Sequence, residues 1–162
     1  MIRKRVKRAR DGMFDLRIPP DERDLLRSLG PQMRSLLAHA DVATDSAVER
    51  LFPVAYPGDE DRQTEYRLLV QSELLESHLG ALAVLEETAD ADRLTDDQLS
   101  AWMRAVNEVR LVLGTRLEIT DEGVERPVDP LDLRLPAFAV YDYLTYLQGE
   151  IIDALSAAQG RD

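Results

Sequence analysis

His39 and His78 are the chain's two histidines, the side chains best suited to carry a proton or hold a metal near neutral pH. They stand on separate helical patterns, and neither has a second histidine or a carboxylate at the spacing of a ligand pair on one helix face. Glu73 and Glu76 precede His78 by five and two residues, where a Glu-x-x-His site requires three. Surface or packing roles are therefore expected for both histidines. Asp90 and Asp92, followed by Asp96 and Asp97, have the outline of a calcium loop. Such a loop needs an oxygen ligand, a glycine and a glutamate where this chain has Leu94, Thr95 and Ala101. The chain has no cysteine, which removes thiolate nucleophiles, cysteine-ligated metals and disulfides. No phosphate-binding glycine loop, nucleophile elbow or metalloprotease motif is present. The sequence thus assigns no catalytic residue, no cofactor and no metal.

The most specific local chemistry lies in polar residues that interrupt two apolar helical stripes. Asn107 and Arg110 are three apart, as are Asp142 and Thr145, and Thr145 and Gln148, so each pair shares a helix face. These faces are expected to meet, with Arg110 paired to Asp142 and the amides satisfying one another, because half-buried polar groups need partners. The alternative is a partner or ligand pocket walled by Trp102, with Arg116 as an anion contact. Tyr143 and Tyr146 point away from the Val140 and Leu144 stripe and form a candidate docking face.

Arg3, Lys4, Arg5, Lys7, Arg8 and Arg10 place six cations and no acid in the first ten residues of a chain whose net charge is −11. The acidic remainder repels phosphate backbones. Nucleic acid is therefore disfavoured as a partner, and this arm is the one segment suited to salt-dependent contact with it. Asp11, Gly12 and Asp15 follow where a signal peptide would have an apolar run. The longest apolar runs, 81–85 and 137–141, have five residues, against the roughly 20 a spanning helix requires. A cytoplasmic protein with no membrane contact is expected.

The elements that must position these residues follow from hydrophobic spacing. At 162 residues, with 44% hydrophobic and 31% charged side chains, one domain over 1–162 is expected. Phe14, Leu16 and Ile18 alternate with Asp15 and Arg17, and Asp11-Gly12 predicts a two-residue turn, so 1–18 is a basic hairpin. Pro19-Pro20 opens a helix to about Ala40, with a kink or break at Gly30-Pro31. A short helix is expected from Asp45 to Phe52, and a long one from about Arg62 to Thr88. An acidic connector, 89–94, leads to a capping box at Thr95 and Gln98 and a helix ending at Gly114. A second hairpin is expected over 116–128, then a last helix from Pro136 carrying Val140, Leu144, Leu147, Ile151 and Leu155, with 158–162 frayed. The class is mainly α: a bundle of about five helices with a small antiparallel β element.

The strings AWMRAVNEVRLVLGTRLEI, 101–119, and YDYLTYLQGE, 141–150, with FDLRIPPDERDLLRSL, 14–29, resemble an uncharacterised actinobacterial family catalogued as a domain of unknown function. Members are typically encoded beside the ClpS adaptor of the Clp protease, and some are labelled transcriptional regulators. The resemblance implies a bacterial cytoplasmic protein with a protein partner, either the ClpS adaptor system or a second copy of itself. It supplies no catalytic residues. The reading that results is a non-catalytic interaction or regulatory module, with a nucleic-acid-binding regulator using the basic arm as one alternative and an enzyme of unknown class as the other.

Overall fold

The computed structural model describes residues 3–39, 50, 51 and 57–159, and only the backbone at Arg67, Leu68, Gln71 and Ser72. Alternation in the N-terminal segment becomes two strands, β1 (Val6–Arg8) and β2 (Phe14–Leu16). They pair antiparallel, with Val6 opposite Leu16 and Arg8 opposite Phe14. Residues 9–13 join them, a longer connection than the expected two-residue turn. Ala9 donates to the Met13 carbonyl at 2.7 Å, Gly12 donates to the Ala9 carbonyl at 3.3 Å, and Gly12 has φ +88. That positive φ is why a glycine closes this turn. The expected acidic connector contributes a third strand, β3 (Arg93–Leu94), which pairs antiparallel with β2. The sheet order is β1-β2-β3.

Four helices are described: α1 (Pro20–His39), α2 (Glu60–Thr88), α3 (Asp96–Arg116) and α4 (Leu135–Gln159). The short helix expected from Asp45 lies outside the described residues except for Arg50 and Leu51, which form a turn. Helix α1 passes Gly30-Pro31 without the expected break. Pro31 removes one helical hydrogen bond, but Leu29 and Met33 on either side are buried, and that packing offsets the roughly 3 kcal/mol cost. Gly30 lets α1 approach α2 closely: a Cβ there would stand 3.1 Å from Glu86 Oε2.

Thr95 and Gln98 form the reciprocal capping box at the start of α3, with Gln98 N donating to Thr95 Oγ1 at 3.2 Å and Thr95 N donating to Gln98 Oε1 at 2.9 Å. The other end differs from expectation. Gly114 lies inside α3, and the chain stops instead through Glu118 at φ 57. Ile119 N donates to the Gly114 carbonyl and Glu118 N to the Thr115 carbonyl, the paired bonds of a Schellman cap. The hairpin expected over 116–128 reduces to one bridge between Thr120 and Gly123. The helix and its cap use the residues that would have formed the first strand.

Helix α2 packs on α1 and α3, α3 on α4, and α4 on β1. Trp102, Phe14, Leu82, Leu99, Leu144 and Ile151 are fully buried within one contiguous cluster. The result is a mainly α fold with a small three-stranded antiparallel sheet. Arg23 fastens its parts: it donates to the carbonyls of Ile18, Ala89 and Ala91 at 2.8, 3.0 and 2.8 Å. The cation therefore sits at the negative C-terminal end of α2. No helix among the described residues is long and apolar enough to cross a membrane.

Candidate interaction site

Helix α3 presents Asn107 and Arg110 to α4. Arg110 donates to Thr145 Oγ1 at 2.8 Å, to Gln148 Oε1 at 2.9 Å and to the Tyr141 hydroxyl at 3.2 Å. Its guanidinium also lies 5.1 Å from the centre of the Tyr141 ring. Gln148 Nε2 donates to Asn107 Oδ1 at 3.1 Å, which closes the seam. Asn107, Arg110, Thr145 and Gln148 thus meet, and Tyr141 joins them. Gly114, one turn along α3, lies against Tyr141: a Cβ there would stand 3.4 Å from Cε2 of the ring.

Asp142 does not pair with Arg110. It accepts both guanidinium nitrogens of Arg126, at 2.9 and 2.8 Å, and Arg126 also lies over the Phe138 ring. One residue of helix turns the side chain by about 100°, so Asp142 leans away from the 141, 145, 148 stripe that faces α3. Trp102 is also apart from the seam; its ring N–H donates to Thr88 Oγ1 at 2.6 Å in the core.

Tyr143 is engaged by the fold, whereas Tyr146 is exposed at 38%. The Tyr143 hydroxyl donates to Glu22 Oε2 at 3.0 Å, and Arg5 grips the same carboxylate at 3.0 and 2.8 Å. The Arg5 bond holds Glu22 below the usual carboxylate range, against the opposing effect of burial. Burial, then the nearby Glu22, pushes the Tyr143 phenol up. Tyr146 is more exposed, and its phenol is raised by desolvation and by neighbouring Glu150. Glu150 in turn accepts the Arg5 main-chain N–H at 2.8 Å. Both tyrosines therefore lie on the side of α4 that meets the β1 hairpin.

The basic arm is divided by the same contacts. Arg5 pairs with Glu22 and Arg8 donates to the Ala157 carbonyl at 3.3 Å, whereas Arg3, Lys4, Lys7 and Arg10 are exposed. Two of the six cations serve the fold, which shrinks the patch available to a phosphate backbone.

A cluster that spacing did not reveal lies between α2 and α3. His78 Nδ1 is 2.5 Å from Glu108 Oε1, and His78 Nε2 is 2.9 Å from the Leu51 carbonyl. Both partners are acceptors, so satisfying both requires a proton on each ring nitrogen, the imidazolium form. The Glu108 hydrogen bond raises His78 above the ordinary histidine value, against burial, which lowers it. Arg104 Nε adds a 3.2 Å bond to Glu108 Oε1. His78 is 7% exposed and Glu108 3%, which closes the cluster to substrate. The available signal was a pair of polar residues on apolar stripes: His78 between Leu75 and Leu82, and Glu108 among Ala105, Val109 and Val112.

Arg116 lines a cavity of about 660 Å³ between α1, α3 and the first turns of α4. Leu29 and Met33 of α1, Val109 and Val112 of α3, and Ala137 and Val140 of α4 form its walls. Ser35 also lines it, but His39 Nδ1 bonds the Ser35 main-chain carbonyl at 2.7 Å, so the hydroxyl is not activated through that contact. No group of three or more His, Cys, Asp or Glu that could hold a metal occurs among the described residues.

These features define a helical module with an apolar groove and an internally paired polar seam. Residues 3–155 match the family described as domain of unknown function DUF2017, and the chain belongs to that family. It is 30% identical to the oxidative stress regulator AosR of Mycobacterium bovis and to that of Mycobacterium tuberculosis, each over 96% of this chain and 88% of the relative. It is 34% identical to the putative oxidative stress regulator AosR of Mycobacterium leprae, over 78% of this chain and 59% of that protein. No solved structure matches the chain.

Proposed function

We propose that this chain is a non-catalytic regulatory module, cytoplasmic as the sequence resemblance implies, that works by binding another protein through the groove between α1, α3 and α4. One observation carries the reading: the groove is open and apolar with Arg116 as its charged residue. The interacting titratable groups His78, Glu108 and Arg104 are instead turned to one another between α2 and α3. Acid-base or nucleophilic catalysis requires reactive groups and access in one place. Protein recognition requires an apolar recess with a few polar groups at its edge.

The regulator names of the mycobacterial relatives support the regulatory half of the proposal. This chain has no cysteine, so no thiol or disulfide of its own can register an oxidant. In an oxidative-stress response it would act on or through a partner that senses the stress. The ClpS adaptor, suggested by the sequence resemblance, is the first partner to test. Titration of the full chain with ClpS should saturate in the micromolar range, and Ala137→Arg should abolish binding while leaving the melting temperature unchanged. Absence of binding removes the adaptor. Binding unaffected by Ala137→Arg removes the groove.

A further inference from the structure

We infer that His78 is a proton-operated latch, which ties the backbone at Leu51 to α3 while its ring carries two protons and lets that backbone go when one is lost. Two acceptors from different parts of the chain meet at this ring. Nδ1 is 2.5 Å from Glu108 Oε1 on α3, and Nε2 is 2.9 Å from the main-chain carbonyl of Leu51, 27 residues earlier in the chain. Neither acceptor can supply a proton, so both bonds exist together only in the imidazolium.

Which bond fails first follows from the acceptors. Glu108 Oε1 also takes a bond from Arg104 Nε, a nitrogen that only donates, so this oxygen is an acceptor toward the ring as well. A bond to a carboxylate is roughly twice as strong as one to a neutral carbonyl. When the ring gives up one proton to solvent, Nδ1 therefore keeps its own and Nε2 becomes a lone pair. That lone pair faces the Leu51 carbonyl oxygen, and the two repel. The Leu51 side chain is 6% exposed and belongs to the core cluster, and its carbonyl meets the ring in a buried contact. A buried carbonyl without a donor must move to reach water. The bond to Glu108 survives, so α2 and α3 stay joined.

The charged groups around the ring set the direction of the switch. Helix α3 brings Glu108 and Arg104. Helix α1, the other helix packed on α2, turns Arg34 to Glu86, Arg27 to Asp24 and Asp90, and His39 to the Ser35 carbonyl. On α2 itself Glu73 and Glu76 are exposed, as is Arg50 beside Leu51. The Glu108 bond holds the second ring proton to a higher pH than in an ordinary histidine, against burial and Arg104, which both act the other way. The latch is therefore closed in mild acid and opens as pH rises.

Ring nitrogen-15 and Leu51 carbonyl carbon-13 shifts of the full chain, followed by NMR from about pH 5.5 to about pH 10, test the inference. The expected result is that Nε2 alone loses its proton, with a midpoint above the ~6.5 of a free imidazole, and that the Leu51 carbonyl signal moves with the same midpoint. Amide exchange in a peptide spanning Arg50 and Leu51, corrected for the intrinsic effect of pH, should quicken at least ~10-fold across that midpoint while α3 stays protected. Glu108→Gln keeps an acceptor but removes the charge, and should lower the midpoint by at least about one pH unit. Titration of the unaltered chain decides the matter even where that variant fails to fold. Loss of the Nδ1 proton in place of the Nε2 proton, a Leu51 signal that does not follow the ring, or a midpoint indifferent to Glu108→Gln overturns the inference.

Discussion

The interface between α2 and α3 and the groove beside α1 divide between them what an active site would combine. The first holds His78, Glu108 and Arg104 in mutual contact, with the histidine and glutamate closed to solvent. The second is open and walled by Leu29, Met33, Val109, Val112, Ala137 and Val140. Buried charge in the first region is matched at Glu108 Oε1, which takes both His78 and Arg104, while Glu108 Oε2 is buried with no hydrogen-bond partner among the described residues. Leu29, Met33, Val109 and Val112 are themselves buried, so the second region is a recess with apolar walls and no cluster of interacting titratable groups among its lining residues.

Breaking the buried cluster should have the largest effect. Glu108→Ala would leave the His78 imidazolium without its counter-charge and should destabilise the chain by about 3–5 kcal/mol in urea unfolding near pH 6. A loss below ~1 kcal/mol would show that His78 is not a buried cation. The pH dependence sharpens the point. The folded-state pKa of His78 is raised, so its stabilising contribution is complete below the unfolded value of ~6.5 and disappears as pH rises through the folded value. Relative to His78→Gln, the unaltered chain should therefore be most stable at mildly acidic pH and lose that advantage in alkali.

Arg110→Ala should have a smaller effect, about 1–2 kcal/mol, because Thr145, Gln148 and Tyr141 are neutral and half-exposed or exposed, so water can replace the lost donors. Unchanged stability would mean the seam is not structural. Glu118→Gly should raise stability by about 0.5–1 kcal/mol, since the position is left-handed at the α3 cap and carries a side chain. Leu131→Ser should change single-chain stability by less than about 0.5 kcal/mol, whatever it does to association.

Local features were legible in the sequence. Thr95 and Gln98 predict their capping box because both partners lie within one turn, and the three-residue spacing of Asn107 and Arg110, and of Thr145 and Gln148, places each pair on a shared face. What lies between elements was less legible. Spacing along α4 cannot say which neighbouring stripe meets Arg110, so Asp142 was expected where Tyr141 stands. Helix α4 has two packed sides, α3 on one and β1 on the other. The Val140 and Leu144 stripe therefore does not show that Tyr143 meets Glu22 on the second packed side, while Tyr146 is exposed as its place off that stripe predicts. His78 and Glu108 are 30 residues apart, and only tertiary packing joins them. Val128, Leu131 and Leu133 precede the last helix, and spacing does not reveal that their side chains stay uncovered.

Amide hydrogen exchange, compared between dilute and concentrated chain and then with ClpS added, tests most directly whether the apolar groove is where this protein meets others. The account predicts added protection confined to residues 25–36, 109–116 and 127–140. Protection centred instead on the basic arm at residues 3–10, or none under either condition, would contradict it.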